Sequence, residues 1–276
     1  MRRCRPWLGT YVEVACDELT ALDAAFAAIA QVHRLMSAHD PDSDLSRINC
    51  GGHRQAITVG APTTEVLRRA LRWAELSGGA FDIIQAGRES LARGALRRHP
   101  GQPSPDPCAD WNVVRIEGTD VSLDRPACLD LGGIAKGYAV DLAIAVMREA
   151  GAVRGLINAG GDLRGFGDHA HSIAIPDPHS RQPLVMTSLD NAALATSAGS
   201  PDALGRLDFG HLPRSALDWI SVTVRAPEAC DADALTKIVW ALGHNAEQLL
   251  RDHQAEAFVI DGARQIQRVG AAAVFA

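Results

Sequence analysis

The run Asp130-Leu131-Gly132-Gly133-Ile134-Ala135-Lys136-Gly137-Tyr138 has the make-up of an anion-binding junction. Its glycines allow the backbone to come close to a ligand. A helix starting just after them would aim unpaired N–H groups and a partial positive charge at a phosphate. Lys136 adds a cation at the same place. The run is neither a Walker A loop nor a dinucleotide fingerprint, because G-x-x-x-x-G-K-[ST] and G-x-G-x-x-G are both absent. A plain packing turn between strand and helix has the same pattern, and both readings stand at this point.

A second run, Cys230-Asp231-Ala232-Asp233-Ala234-Leu235-Thr236-Lys237, gathers carboxylates and a hydroxyl. Carboxylates at a helix start serve as caps. They also suit magnesium, which takes hard oxygen ligands together with substrate phosphates. Three further segments are Ser77-Gly78-Gly79-Ala80-Phe81-Asp82, Gly160-Gly161-Asp162 and Ala195-Thr196-Ser197-Ala198-Gly199. Alone, each reads as a helix end, a turn or a strand end. His169 and His171 read better as surface histidines than as a metal pair. No G-x-S-x-G elbow supports a hydrolase triad, and the few aromatics form no array for stacking bases.

The elements that must position these residues follow from periodicity. Alternation over Tyr11 to Ala15 predicts a strand. Leu22, Phe26, Ile29, Val32, Leu35 and Met36 predict an amphipathic helix over 20–36. Ser43 is placed to cap a short helix through Leu45 and Ile48. A helix opening at Pro62 and Thr63 ends at Gly78-Gly79. Residues 85–110, rich in Arg, Gly and Pro, read as a long flexible loop. A hairpin is expected over Val113–Ile116 and Val121–Leu123, then a strand from Ala127 to Leu131 and a helix from Tyr138 to Ala150. Leu156–Ala159 and five later segments read as strands, at 172–175, 185–188, 220–224, 257–260 and 265–269. Helices are expected over about 233–242 and 245–252. This order predicts an α+β fold with mixed, largely antiparallel sheets and packed helices.

The totals exclude several classes. A net charge of -6 argues against nucleic acid as a partner. Six cysteines without a C-x-x-C pair suit reduced thiols rather than a zinc ribbon. The basic N-terminus runs into a strand with no apolar core of a signal peptide, and no stretch approaches the ~20 apolar residues of a membrane span. A cytoplasmic protein is the expectation.

Taken in order, the segments resemble the ApbE family, the FAD:protein FMN transferases. The likeness runs from Leu8-Gly9-Thr10 through Met36-Ser37 and the turn Ala38-His39-Asp40-Pro41-Asp42-Ser43. It continues in Gly79-Ala80-Phe81-Asp82, in 130–137 with Tyr138-Ala139-Val140-Asp141, and in Asn158-Ala159-Gly160-Gly161-Asp162. It closes with Ala195-Thr196-Ser197 and Ala232-Asp233-Ala234-Leu235-Thr236-Lys237. The resemblance implies one domain over 7–270 made of two intertwined subdomains, with an active site in a cleft between them. It implies flavin and adenine contacts at Leu8, His39, Ala80, Phe81, Asp82, Asp130, Lys136 and Leu212. It also implies magnesium at Gly133, Asp233, Thr236 and Lys237, and catalytic roles for His211, Asp130 and Lys136. The implied reaction is magnesium-dependent transfer of FMN from FAD to a Ser/Thr motif of an acceptor flavoprotein, releasing AMP. A magnesium-dependent FAD pyrophosphatase and a non-catalytic FAD-binding protein are the alternatives.

The chain also departs from the family pattern. His39 stands where Tyr is usual, Leu8 where Met is, and Lys237 where a metal-binding Thr is. The segment at His211 lacks an Asp-Pro.

Overall fold

A two-residue turn, Leu8-Gly9, joins the first two strands. The computed structural model describes residues 1–201, 207–209, 212 and 217–270. β1 (Arg2–Trp7) and β2 (Thr10–Cys16) pair antiparallel with Trp7 opposite Thr10. Leu8 (φ 57°) and Gly9 (φ 72°) both adopt positive φ, which short hairpins require. β1 escaped the sequence reading because five of its six residues are exposed, so no apolar alternation marks it. β2 turns Val12, Val14 and Cys16 inward, and α1 (Leu19–Met36) buries Leu22, Phe26, Ile29 and Val32.

The chain divides into two units, Met1–Ile29 with Lys136–Ala276, and Ala30–Ala135. In the second, α2 (Asp44–Gly51) is capped by Ser43, whose hydroxyl accepts the Ser46 N–H at 3.0 Å. Then come β3 (Ile57–Thr58), α3 (Ala61–Leu76), α4 (Ile83–Ala92), β4 (Val114–Glu117) and β5 (Asp120–Leu123). The three strands form one sheet in the order β3-β5-β4. Residues 85–92 belong to α4 rather than to a loop. Gly87, which reads as a breaker, is a packing residue: a Cβ there would lie 2.0 Å from the Cys128 carbonyl oxygen. The segment 127–131 joins no sheet. Asn49 takes the place of a partner strand, its Oδ1 accepting the Leu129 N–H at 2.7 Å and its Nδ2 donating to the Leu129 carbonyl at 3.1 Å.

The first unit resumes with α5 (Ala135–Glu149), β6 (Gly155–Ala159), β7 (Asp162–Phe166), β8 (His171–Pro176), β9 (Pro183–Leu189) and β10 (Ala193–Ala198). The remaining elements are β11 (Ser200–Pro201), β12 (Leu207–Asp208), β13 (Trp219–Ala226), α6 (Ala229–Leu242), α7 (Glu247–Asp252), β14 (Glu256–Asp261) and β15 (Ile266–Val269). Eight strands form an antiparallel sheet in the order β1-β2-β6-β7-β10-β13-β14-β15. This is the α+β architecture expected from the element order. Its core joins Val12 and Val14 of β2 to Leu22 and Phe26 of α1 and Val140, Ile144 and Met147 of α5. β13 is buried along all eight residues, as a central strand covered on both faces must be. Among the described residues no helix is long and apolar enough to cross a membrane.

Candidate functional site

α5 and α6 start against each other. The cause is Gly137, where a Cβ would lie 2.1 Å from the Ala229 carbonyl oxygen. No other residue allows so close an approach. Asp141, one turn further along α5, then caps α6. Its Oδ1 accepts the Ala229 N–H at 2.9 Å and its Oδ2 the Cys230 N–H at 2.8 Å. Glu228, the residue that precedes α6, makes no side-chain cap bond of its own. Arg164 of β7 donates to the same Asp141 Oδ1 at 2.5 Å. Burial pushes the Asp141 carboxyl up, against the pull of Arg164 and the two amides.

α6 therefore begins four residues before the expected start at Asp233. Asp233 lies in its second turn, fully buried, and is not a helix cap. Its Oδ2 meets Lys136 Nζ at 3.4 Å and the Gly137 N–H at 3.4 Å. Lys237 donates to its Oδ1 and, at 3.1 Å, to its carbonyl oxygen. Lys136 also reaches Asp162 Oδ2 at 2.5 Å. By sequence Asp162 belongs to a bare turn. That turn is what delivers it: Gly160 (φ 65°) and Gly161 (φ 104°) join β6 to β7 with two residues, and Asn158 Oδ1 accepts the Gly161 N–H at 3.0 Å. Asp162, the first residue of β7, is buried beside Lys136.

The charges settle unequally. Burial works against ionisation of Asp233, but Lys136 and Lys237 outweigh it and hold its carboxyl below the usual range. Burial, reinforced by the Asp233 charge, pushes Asp162 up to about 6 against the two lysines. Burial disfavours charge on Lys136 too, yet the two carboxylates overcome it and raise its pKa. Below the cluster, Thr236 Oγ1 donates to the Asp233 carbonyl at 2.7 Å and so accepts from Ser197 Oγ, also at 2.7 Å. This gives the small-residue strand end at Ala195–Gly199 a place under the site.

The other sequence-named residues are placed as follows. Leu8 sits half-buried at a positive φ that costs a non-glycine residue about 1–3 kcal/mol and that the two-residue hairpin between β1 and β2 imposes. In the second unit, Asp130 Oδ2 accepts from Ser90 Oγ at 2.7 Å and Oδ1 from the Gly132 N–H at 2.8 Å, which holds the glycine turn in shape. Asp82 caps α4 through the Ile84 and Gln85 N–H groups, at 2.7 and 3.2 Å, and also accepts the Trp111 N–H at 3.3 Å. Ala80 and Gly133 are half-buried, Phe81 is buried and His39 is exposed. Leu212 is buried. His211 lies outside the described residues.

Fold and site together define an α+β protein in which Lys136, at the start of α5, and Lys237, in the third turn of α6, meet buried carboxylates. A family model described as the ApbE family matches residues 8–259, and the chain belongs to that family. Among its relatives, the FAD:protein FMN transferase of Treponema pallidum (strain Nichols) is 27% identical over 276 residues, covering 86% of this chain and 76% of that protein. The flavin transferase ApbE from Vibrio cholerae superposes with a TM-score of 0.82 at 21% identity, covering 97% of this chain and 96% of that one. The ApbE protein from Thermotoga maritima also gives 0.82, at 24% identity, covering 98% and 96%. These two solved structures carry the same fold.

Proposed function

We propose that this chain transfers the FMN half of FAD to a serine or threonine hydroxyl of an acceptor flavoprotein and releases AMP. The supporting observation is the meeting of Lys136, from the glycine-rich run, with Asp233 of α6 and Asp162 of β7. Phosphoryl transfer asks a protein mainly to position groups and stabilise charge. The paired lysines and the backbone around Gly137 suit the diphosphate of FAD. Leu8, His39, Ala80, Phe81, Asp82 and Leu212 are assigned to the flavin and adenine.

In the reaction the acceptor hydroxyl oxygen bonds to the FMN-side phosphorus. The bond from that phosphorus to the bridging oxygen breaks, and its electron pair leaves on AMP. Asp130 and His211 are assigned to take the hydroxyl proton. Positive charge facing the departing phosphate lowers the barrier.

The positions expected to hold magnesium are Gly133, Asp233, Thr236 and Lys237; Gly133 offers a backbone carbonyl alone, and the chemistry of the three side chains here does not fit a divalent cation. Each Asp233 oxygen is already on an ammonium. Thr236 is fully buried, and its hydroxyl is used by Asp233 and Ser197. Lys237 as an ammonium has no lone pair to give a metal.

Incubation of the protein with FAD and a flavin-acceptor domain, followed by mass spectrometry, tests the assignment. FMN covalently attached to the acceptor is the expected product. Free FMN and AMP alone would mean a pyrophosphatase. Intact FAD would mean a binding protein.

A further inference from the structure

The cluster at Asp233 is electrically complete as it stands. Lys237 pairs with Asp233 Oδ1, and Lys136 spans Asp233 Oδ2 and Asp162 Oδ2. Two ammonium groups thus balance two carboxylates whose side chains are 0% and 2% exposed. An entering divalent ion must displace an ammonium from Asp233 and then sit beside two like charges. Lys237 is seated twice, since its Nζ also donates to the Asp233 carbonyl one turn back along α6. Each ammonium carries three N–H donors and spends two on these contacts. The third remains for a substrate oxygen. The two lysine side chains remain 28% and 15% exposed, unlike the carboxylates they hold.

We propose that Lys136 and Lys237 together stand in for a divalent cation in this chain, so that the diphosphate of a dinucleotide is bound and its charge neutralised without a metal ion. The identity of the dinucleotide rests on the flavin-transfer reading; the arrangement of the lysines does not. In the transfer step the acceptor oxygen gains the FMN-side phosphorus, the bridging P–O bond breaks, and AMP departs with that electron pair. The acceptor proton goes to the base. The two ammoniums face the charge that collects on the departing phosphate.

Two measurements on the whole protein test this. The first is manganese(II) binding to the flavin-free wild type, read by paramagnetic resonance. The second is quenching of FAD fluorescence in chelator and in magnesium. The wild type is expected to hold no manganese(II) at micromolar concentrations and to bind FAD equally well in both buffers. Lys237→Thr exchanges the ammonium for a hydroxyl. It should lose about tenfold or more in FAD affinity in chelator, recover with magnesium, and acquire bound manganese(II). Lys237→Met should lose the affinity and not recover it.

Stoichiometric manganese(II) on the wild type would overturn the proposal. So would FAD binding that disappears in chelator and returns with magnesium. A wild type that binds FAD in neither buffer would sink the flavin reading instead, and the manganese(II) result would still decide the role of the lysines.

Discussion

Asp141 closes the N-terminus of a helix other than its own: its Oδ2 lies 2.8 Å from the amide nitrogen of Cys230, the second residue of α6. Two unpaired amides at a helix start are satisfied by one carboxylate reaching over from α5. The same carboxylate neutralises Arg164. Asp141→Ala should therefore cost more than an ordinary cap. It leaves a largely buried guanidinium without its carboxylate, and about 3 kcal/mol of destabilisation is expected. Urea unfolding of wild type and variant measures this. A loss well under about 1 kcal/mol, the size of a simple cap, would show that Asp141 is not what ties the two helices.

Gly137→Ala probes the same junction through shape alone. The added Cβ would meet the Ala229 carbonyl oxygen at 2.1 Å, a backbone atom that cannot swing aside. The helices must part, at a cost of about 1–3 kcal/mol or more. Because the shift would also carry Lys136 away from Asp233, FAD affinity should fall together with the melting temperature. Unchanged FAD affinity in a folded variant would separate the helix junction from the lysine cluster.

Thiol reactivity should sort by depth. Cys4 and Cys108 are exposed, Cys50 is intermediate, and Cys16, Cys128 and Cys230 are buried. Burial also pushes the Cys128 thiol up to about 11, so little thiolate forms there at neutral pH. Brief alkylation of the native protein, mapped by mass spectrometry, should label Cys4 and Cys108 first and Cys128 only after unfolding. Early labelling of Cys128 would contradict its packing beneath Gln102.

Burial raises the carboxyl of Asp82, which outweighs the help of the Gln85, Ile84 and Trp111 amides. An acid with a raised folded-state pKa holds its proton more tightly when folded than when unfolded. Its contribution to stability is then full at low pH and is lost as pH rises through the folded pKa. Asp82→Asn cannot titrate. The melting temperature of wild type minus that of the variant should accordingly decline as pH is raised from below the ordinary aspartate value. A rising difference would reverse the assigned sign.

Much of this was legible in the residues, and the failures have physical causes. α1, α2 and α3 were readable because apolar residues recur at helical spacing and Ser43 marks a start. α4 was hidden because Gly87 is a breaker by propensity and a packing residue by position. The segment 127–131 looked like a strand because it is apolar and extended, but its hydrogen bonds go to the side chain of Asn49, which no pattern announces. At the site, Lys136 and Asp233 are legible in the glycine-rich run and the late acidic run, whereas Asp162 sits in a segment whose pattern is that of a turn. Asp141 was quoted within a motif without a role, since capping a remote helix leaves no local trace. Pairing between Lys237 and Asp233 was latent in their spacing of four along a helix, which sets side chains on one face.

The strand pairing of Val12 with Ala159 has a bearing on how the protein is made. β2 leaves the ribosome long before β6, and the whole of Ala30–Ala135 is synthesised between them. Throughout that interval the edge of β2 that will pair with β6 has no strand beside it, and its apolar face has α1 alone to pack on. The inserted unit can close its own three-stranded sheet meanwhile, because β3, β4 and β5 all lie within it. The topology thus lets the middle of the chain complete its own sheet while the beginning still lacks the strand it pairs with.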